Sequence, residues 1–388
     1  MLGRISMYIA MGLPTAFGSP LAGMQALYDA PRTGAVISIR SSSLNEERPI
    51  WVWTPPGYSE SRPGLPVVYL LDADVYFQYT TALTDFLAYY LRGPEMIVVG
   101  IPTTERGRDM LPSRGAEPFR RFLVDEVMPV VNRRFNTAPF SVLIGHSLGG
   151  LFAVYTATTS PGAFGAYVAS SPALQYDSTV VRAATALAGP PRGPRLLYLS
   201  LAGRENPAID SATRRVAAAL SAEGSTDGPA WTLATVADEN HLTAPLRSLH
   251  SAMRWLFEDW ALSFNVTNRV LEDGTFDALD QHYANLSLRF GYEVQPPELM
   301  FSILGDRLYT REAFDLAIVL FRRRVALYPD SPGAHDELAR GYEAAGRFED
   351  AITSYERAQA LARAQRHPSL EAITGRLAGA RDSLRNNQ

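Results

Sequence analysis

The chain has 388 residues, of which 46% are hydrophobic and 20% charged, as in globular proteins, and at about 150 residues per domain this length suggests two or three units. The net charge of −4, without runs of basic residues, argues against a nucleic-acid partner. The chain has no cysteine and no lysine, which excludes disulfides, thiol nucleophiles, cysteine-ligated zinc, Schiff bases and serine–lysine mechanisms.

The amino-terminal segment has features of an export signal. Arg4 precedes a mostly apolar stretch from Ile5 to Phe17, and the small residues from Ser19 to Gly23 are typical of a cleavage region. We expect residues 1–24 to be either a signal peptide or a disordered leader, which leaves periplasmic or secreted and cytoplasmic locations open. The sequence has no run of 18 apolar residues that would predict a membrane-spanning helix.

Residues 36–260 alternate between short strand-like runs and longer segments with helical periodicity. This alternation predicts an α/β fold with a mainly parallel sheet, in which the first two strands pair antiparallel. The predicted strands are Val36–Arg40, Ile50–Thr54, Val67–Leu71, Met96–Gly100, Ser141–Ile144, Ala166–Ser170, Leu196–Leu201 and Trp231–Val236. The predicted helices include Thr80–Leu91, Glu117–Phe135, Leu148–Thr159 and Thr213–Ala222.

After Trp260 only helical periodicity remains, and it contains a 34-residue repeat over about residues 305–365. This period and its small and aromatic positions resemble a tetratricopeptide repeat, in which small residues let two helices touch. Gly346 occupies the turn of the second unit, whereas Glu312 stands there in the first, so a plain helical hairpin stays open as the alternative. The repeated positions are Ala317 with Ala351 and Phe321 with Tyr355.

The pentapeptide Gly145–Gly149 has the pattern G-x-S-x-G and is followed by a further glycine. In a nucleophile elbow, this pattern forms a strained turn between a strand and a helix and exposes the serine hydroxyl over the sheet. The predicted strand Ser141–Ile144 and the predicted helix Leu148–Thr159 supply that context. Ser147 is therefore the candidate nucleophile.

A serine nucleophile needs a histidine base, and His241 is the strongest candidate. The chain order of nucleophile, acid and histidine in the hydrolase version of this fold requires the base after a late strand. His241 follows the last predicted strand, in a loop that precedes a helix. The other five histidines lie in the elbow, inside a helix or in the carboxyl-terminal helices: His146, His250, His282, His335 and His367.

The acid that orients the histidine is expected after the penultimate strand. Glu205 follows the predicted strand Leu196–Leu201 in the loop at its carboxyl end. Asp210 is the main rival, five residues further on, and Asp177 is a weaker third candidate. We expect Glu205 to be the acid.

Two N–H groups are needed to stabilise a tetrahedral oxyanion. One is expected from the main chain of Leu148, directly after the candidate nucleophile. The other is expected from the loop after the third strand, from either Ala73 or Asp74. Arg106 and Asp109, after the fourth strand, either shape the pocket or form an internal ion pair.

Together these residues resemble the Putative esterase family of α/β hydrolases. That family includes siderophore-ester hydrolases, S-formylglutathione hydrolase, feruloyl and acetyl-xylan esterases and mycolyltransferases. The resemblance spans residues 36–260 and implies the α/β-hydrolase fold in a catalytic domain of residues 25–262. The motifs that carry it are Val68–Ala73, Ile101–Asp109, Phe122–Pro129, Gly145–Gly150, Ser170–Pro172, Gly203–Glu205 and Asn240–His241.

The resemblance also implies a catalytic mechanism and a place for the remaining helices. The family uses a Ser–His–Asp/Glu triad without metal or cofactor, which falls on Ser147, Glu205 and His241. The family commonly has glycine where Ala73 stands, which puts the second oxyanion donor in question. Bacterial members of the siderophore-esterase branch sometimes carry a helical tail, and residues 263–388 resemble one through the segment Leu279–Ser287.

The sequence thus predicts a carboxylic-ester hydrolase that forms an acyl-enzyme and acts on a small-molecule ester. Acyl transfer to an alcohol or sugar by the same triad is an open alternative. A non-catalytic protein that binds a partner through its helical tail is another, and the tail could also mediate a homodimer. The α/β-hydrolase fold also includes peptidases, although no residue specifically indicates one.

Overall fold

A computed structural model describes residues 34–60, 63–185, 187, 196–222 and 230–386 of the chain. The predicted signal peptide or leader, residues 1–24, lies outside these ranges. Within the ranges, every helix is too short or too polar to cross a bilayer.

A single eight-stranded sheet lies at the centre of the amino-terminal part. Its strands are β1 (Ala35–Ser41), β2 (Glu46–Trp53), β3 (Leu65–Leu71), β4 (Ile97–Ile101), β5 (Thr137–His146), β6 (Ala166–Ser170), β7 (Leu196–Arg204) and β8 (Ala230–Asn240). They lie in the order β1-β2-β4-β3-β5-β6-β7-β8. The β1–β2 and β2–β4 pairs are antiparallel and the other pairs are parallel, which confirms the predicted fold class.

The central strands are apolar on both faces because helices cover the sheet on both sides. Along β3, Val68 and Leu70 belong to one hydrophobic cluster, while Tyr69 and Leu71 belong to a second cluster on the opposite face. Side chains alternate between the two faces of a strand, so a strand buried on both faces must be apolar throughout. This is why continuous apolar runs identified the strands.

In the described part of the chain, eight α-helices connect or flank these strands. They are α1 (Ala73–Tyr89), α2 (Arg106–Met110), α3 (Ala116–Arg121), α4 (Met128–Arg134), α5 (Leu148–Thr159), α6 (Ser178–Thr185), α7 (Pro207–Ala222) and α8 (Ala244–Leu256). The predicted helix Thr80–Leu91 is α1, which begins seven residues earlier, at Ala73. The predicted helix Glu117–Phe135 consists of α3 and α4 joined by a π-helical segment, Phe122–Val127.

The carboxyl-terminal part is helical, as predicted. Its helices are α9 (Phe264–Asn268), α10 (Asp277–Phe290), α11 (Glu298–Thr310), α12 (Phe314–Leu327), α13 (Pro332–Ala344), α14 (Phe348–Ala364) and α15 (Leu370–Asn386). The α11–α12 and α13–α14 pairs have turns at Glu312 and Gly346, 34 residues apart. Both residues adopt the left-handed conformation, with φ of 60° and 72°. Glu312 thus takes the conformation that glycine takes in the second pair, although it does so at a steric cost.

One hydrophobic cluster runs from the sheet into the helical part. Phe140 on β5 packs against Phe290 on α10, with ring centroids 4.9 Å apart. Phe257 and Trp260, just before the expected boundary at residue 262, also contact Phe290. The helical part therefore shares a core with the sheet and is not joined to it by a linker alone.

Candidate active site

Ser147 lies in the tight turn between β5 and α5. Its backbone has φ of 58° and ψ of −114°, a conformation that residues with a Cβ rarely adopt. The neighbouring glycines make the turn possible: a Cβ on Gly145 would lie 2.2 Å from the carbonyl oxygen of Gly149, and one on Gly150 would lie 3.0 Å from the Cα of Pro172. The strand–turn–helix context predicted for this serine is therefore present.

The imidazole of His241 lies between Ser147 and Glu205. The Nδ1 atom of His241 is 2.9 Å from Oε1 of Glu205, and its Nε2 atom is 3.0 Å from Oγ of Ser147. The carboxylate can only accept a hydrogen bond, so Nδ1 carries the proton and Nε2 is free to accept the serine proton. This is the hydrogen-bond order of a Ser–His–acid triad.

Glu205 is held as a buried, ionised carboxylate. Its side chain is only 2% exposed, and burial by itself raises the pKa of a carboxyl group. Hydrogen bonds from His241 and from the main-chain N–H of Asn206 outweigh that effect, so the pKa of Glu205 falls to about 2. The N–H of Ala202 also donates to this carboxylate, at 3.3 Å. The negative charge is therefore available to orient the imidazole.

The two rival acids have other partners. Asp210 lies on α7 and forms an ion pair with Arg214 one helical turn later, at 2.9 Å. Asp177 accepts hydrogen bonds from the main chain and hydroxyl of Thr179, and so caps the start of α6. Of the three candidate acids, Glu205 is the one that the structure brings to His241.

The candidate oxyanion donors lie at the starts of two helices. Leu148 begins α5 directly after Ser147, and Ala73 and Asp74 begin α1 at the end of the neighbouring strand β3. The first N–H groups of a helix have no acceptor within that helix, so they can bind an oxyanion. The carboxylate of Asp74 accepts a hydrogen bond from the N–H of Thr103, which fixes this loop.

An ion pair between the partly exposed guanidinium of Arg106 and the buried carboxylate of Asp72 supports the elbow. Arg106 donates to both carboxylate oxygens of Asp72 at 2.9 and 3.1 Å, and it also donates to the carbonyl oxygen of His146 at 2.9 Å. The hydroxyl of Thr103 donates to Asp72 as well. Arg106 thus forms an internal ion pair, one of its two expected roles, but its partner is Asp72 and not Asp109. The part played by Asp72 was missed, although this residue directly follows an apolar strand.

Asp109 forms a separate buried ion pair. It binds Arg48 on β2 and Arg108, and the Arg48 side chain lies over the rings of Phe119 and Phe122. Asp109 thus has the internal role rather than the pocket-shaping one.

His146 packs against the candidate base. Its Nε2 atom is 2.9 Å from the carbonyl oxygen of His241, and its Nδ1 atom is 3.2 Å from the hydroxyl of Tyr76. Burial, together with the nearby His241, lowers the pKa of His146 to about 4. Sequence reasoning treated this residue only as the variable position of the motif. Its contacts join segments far apart in the chain.

The site opens to solvent. The side chain of His241 is 26% exposed, and the adjacent Leu242 is 77% exposed. Val75 on the first turn of α1 also has a largely exposed side chain. Across the described ranges, no group of three or more histidine or carboxylate side chains is arranged to hold a metal ion.

Comparison with known proteins identifies relatives of the sheet-containing part. The family model described as "Putative esterase" matches residues 41–240. The ferri-bacillibactin esterase BesA of Bacillus subtilis is 30% identical over 173 residues, which cover 36% of this chain and 59% of the relative. The siderophore triacetylfusarinine C esterase of Aspergillus fumigatus is 28% identical over 140 residues, covering 31% and 48%. The chain thus spans about half the length of these curated relatives.

Solved structures extend the likeness in fold. An IroE-like serine hydrolase from Shewanella oneidensis matches with a TM-score of 0.62 and 23% identity, over 75% of this chain and 98% of that one. An uncharacterised protein from Capnocytophaga ochracea matches with a TM-score of 0.58 and 17% identity, over 90% and 99%. At these identities the likeness concerns the fold alone. Because the family model covers more than half of the chain, this protein belongs to the Putative esterase family.

Proposed function

We propose that this protein hydrolyses carboxylic esters through an acyl-enzyme intermediate on Ser147. The observation that carries the proposal is the hydrogen-bonded chain from Glu205 through His241 to Ser147 at a strained elbow. The family membership and the names of the two curated relatives reported above, which are esterases, support the same reaction class.

In the proposed mechanism, Oγ of Ser147 attacks the ester carbonyl carbon while Nε2 of His241 accepts the hydroxyl proton. Glu205 keeps the imidazole in the required tautomer and stabilises its protonated form. The tetrahedral intermediate collapses, the bond to the leaving alcohol breaks, and His241 gives its proton to that alcohol. Water then attacks the acyl-enzyme with His241 again as base, which releases the acid and restores Ser147.

The oxyanion of each tetrahedral intermediate requires donors that are already in position. We assign the first to the N–H of Leu148 and the second to the N–H of Ala73 or Asp74. The ion pair between Arg106 and Asp72 supports this assignment, because it ties the start of α1 to the carbonyl of the residue before Ser147.

We propose a bulky ester of the siderophore type as the substrate. Of the two curated relatives reported above, one is named a ferri-bacillibactin esterase and the other a siderophore triacetylfusarinine C esterase. The exposure of His241, Leu242 and Val75 supports this class, because a site open to solvent accepts an ester whose acyl and alcohol parts extend beyond the protein. The leaving alcohol would be a hydroxyl of the same molecule, so hydrolysis would open or shorten it.

The test compares hydrolysis of a siderophore trilactone, a feruloylated sugar and p-nitrophenyl esters of increasing chain length. We expect Ser147→Ala to lower kcat at least about a thousandfold, because the other triad members cannot act without the nucleophile. A fluorophosphonate probe should label the wild-type protein but not this variant. The control Ser211→Ala removes an exposed serine on α7 and should leave labelling and hydrolysis unchanged.

The outcomes separate the alternatives. Ser147→Ala with activity within tenfold of the wild type would contradict the mechanism. Wild-type protein that neither hydrolyses an ester nor reacts with the probe would favour a non-catalytic protein. Transfer of the acyl group to an added alcohol in preference to water would indicate an acyltransferase.

A further inference from the structure

His146 is a buried titratable residue for which the proposed reaction has no chemical step. It directly precedes Ser147, and only 7% of its surface is exposed. Both of its ring nitrogens have partners, one on the segment that carries His241 and the other on α1. His146 therefore contacts both the segment that carries His241 and helix α1, whose first residues are the candidate oxyanion donors.

The partners of His146 define its protonation. The carbonyl oxygen of His241 can only accept a hydrogen bond, so Nε2 of His146 must carry a proton and donate it. In the neutral ring Nδ1 is then an acceptor, and the hydroxyl of Tyr76 donates to it. Burial raises the pKa of Tyr76 to about 12, so the phenol keeps the proton that it donates.

The segment that carries His241 lies at the edge of the sheet, where Arg204 of β7 and residues nearby in the chain also bind it. It follows β8, which is an edge strand with a single neighbour, β7. Between residues 230 and 242, Val236 is the only described residue that is buried. His241 itself is followed by the largely exposed Leu242. The hydrogen bond from His146 to the main chain of His241 therefore ties this edge segment to the buried elbow.

The two imidazole rings also touch. The ring centroids of His146 and His241 are 4.8 Å apart, and the ring planes are inclined by 44°. The ring of His241 therefore packs against the ring of His146, and its Nδ1 atom is hydrogen-bonded to the carboxylate of Glu205. Its Nε2 atom is left directed at Ser147.

We propose that His146 and Tyr76 are positioning residues: they form a relay that fixes the main chain of His241 and so holds its Nε2 atom at hydrogen-bond distance from Ser147. The inference rests on the proposed function, because it concerns the base of that reaction. The relay transfers no proton to the substrate. It acts by keeping the imidazole of His241 at the right distance from the hydroxyl of Ser147. A misplacement of about 1 Å can lower the rate roughly a hundredfold.

The test uses kcat and KM for one ester that the wild-type protein hydrolyses. His146→Phe keeps a flat ring but removes the N–H donor, and we expect kcat to fall roughly tenfold to a hundredfold with KM within about twofold. His146→Gln carries an amide N–H at about the position of Nε2, and it should restore kcat to within about fivefold of the wild type. A role in packing alone would give the opposite order, since phenylalanine fills the site better than glutamine.

A double-mutant cycle tests the relay itself. Tyr76→Phe removes the hydroxyl that fixes the tautomer of His146 and should lower kcat by a smaller factor than His146→Phe. In the His146→Phe background, Tyr76→Phe should have no further effect, because the hydroxyl then has no partner. Independent, multiplicative effects of the two substitutions would contradict the relay.

Tyr79→Phe is the matched control. Tyr79 lies on the same helix as Tyr76, and its hydroxyl donates to a main-chain carbonyl, that of Leu246, at 2.9 Å. The control removes a tyrosine hydrogen bond that joins α1 to α8, the helix after His241, without touching His146, and it should leave kcat and KM unchanged. If Tyr79→Phe lowers kcat as much as Tyr76→Phe, the effect belongs to helix α1 in general and the proposal is overturned.

The outcomes also distinguish this inference from the proposed function. Wild-type kcat in both His146→Phe and Tyr76→Phe, with Ser147→Ala inactive, would overturn the relay and leave the esterase proposal standing. If Ser147→Ala is fully active, both fail. Should His146→Phe not fold, as judged by circular dichroism and its Tm, then Tyr76→Phe and His146→Gln decide: a lowered kcat in the former with near wild-type kcat in the latter supports the relay, and any other pattern overturns it.

Discussion

At the scale of single residues, the candidate site depends on a carboxylate that is buried and yet charged. Glu205 is almost fully buried, but the hydrogen bonds to its carboxylate lower its pKa to about 2. It therefore stays ionised wherever His241 can act as a base, and protonation of the imidazole by Ser147 is favoured by an adjacent negative charge. Asp210, on the surface of α7 and paired with Arg214, offers the imidazole no such partner.

Glu205→Gln should therefore lower kcat by a factor of about ten thousand, since an amide no longer enforces the required tautomer of His241. The matched variant Asp210→Asn removes the same charge from the rival position five residues away. It should leave kcat unchanged and alter the free energy of unfolding by at most about 0.5 kcal/mol, as for an exposed pair. Steady-state kinetics on one ester measure both. Equal losses in the two variants would mean that Glu205 has no special role.

The same lowered pKa predicts the direction in which acid affects stability, because the unfolded chain binds a proton to this carboxyl at higher pH than the folded protein does. The stabilising contribution is complete above about pH 4.5, the ordinary value, and is lost as the pH falls toward 2. The pKa of His146 is lowered to about 4 from an ordinary 6.5, so its stabilising contribution is complete above about pH 6.5 and is lost as the pH falls toward 4. The site is therefore expected to weaken in acid through His146 before Glu205.

At the scale of elements, the elbow combines backbone strain with very close approach between strand and helix. Ser147 has a positive φ, which costs about 1–3 kcal/mol in a residue with a Cβ. The strain persists because β5 and α5 are both buried and meet with no room for a side chain at Gly145. Two elements with large apolar faces thus force the serine into the tight turn between them.

Gly145→Ala should consequently destabilise the fold and disturb the site together. The added Cβ would lie 2.2 Å from a main-chain oxygen of Gly149, and because that atom belongs to the backbone, the start of α5 has to move. We expect the free energy of unfolding to fall by about 1–3 kcal/mol and kcat to fall more than about tenfold. Thermal or urea unfolding and ester hydrolysis measure the two effects.

Gly162→Ala is the control for this variant. No atom lies within 4 Å of the position that its Cβ would take, and its φ is not in the left-handed region. The change should alter the free energy of unfolding by at most about 0.5 kcal/mol. A similar loss of kcat in both variants would show that the close approach at Gly145 has no importance for the site.

How far the sequence predicts each element depends on how local its determinants are. The strands were predictable because buried strands must be apolar throughout, and α5 was predicted with the right bounds by its apolar content after the elbow. The start of α1 was missed by seven residues, because it depends on the left-handed conformation of Asp72 (φ 52°) and on its bonds to Arg106 and Thr103, more than thirty positions away.

The residues of the candidate site also differ in how local their sequence signals are. Ser147 stands in a local motif, and His241 could be selected because the alternatives lay in helices or in the elbow. Glu205 and Asp210 were harder to separate, because the choice depends on which carboxylate faces His241 in three dimensions. The contacts of His146 with Tyr76 and His241 have no signal in the sequence, since they join three segments that meet only in the folded protein.

At the scale of the whole molecule, the sheet and the helical tail are joined through a shared aromatic core. Phe290 on α10 is 3% exposed and packs against Phe140 of the sheet, and against Phe257 and Trp260. Removal of the tail would expose these apolar side chains to water, which costs about 25 cal/mol for each Å². The tail is therefore expected to be a structural part of the catalytic unit, whatever else it contacts.

Phe290→Ala tests this expectation. Loss of the ring leaves a cavity between the sheet and α10, and we expect the free energy of unfolding to fall by about 3–5 kcal/mol. Because the two parts share one core, ester hydrolysis and helical circular dichroism should be lost in the same urea transition, and that transition should move to lower urea for both probes. Phe264→Ala is the control: Phe264 is 77% exposed on α9, so its loss should change the midpoint little. The expectation would be contradicted by two separate transitions, with only the helical one shifted by Phe290→Ala. The sheet-containing part would then fold independently, and the aromatic contacts would only attach the tail to its surface.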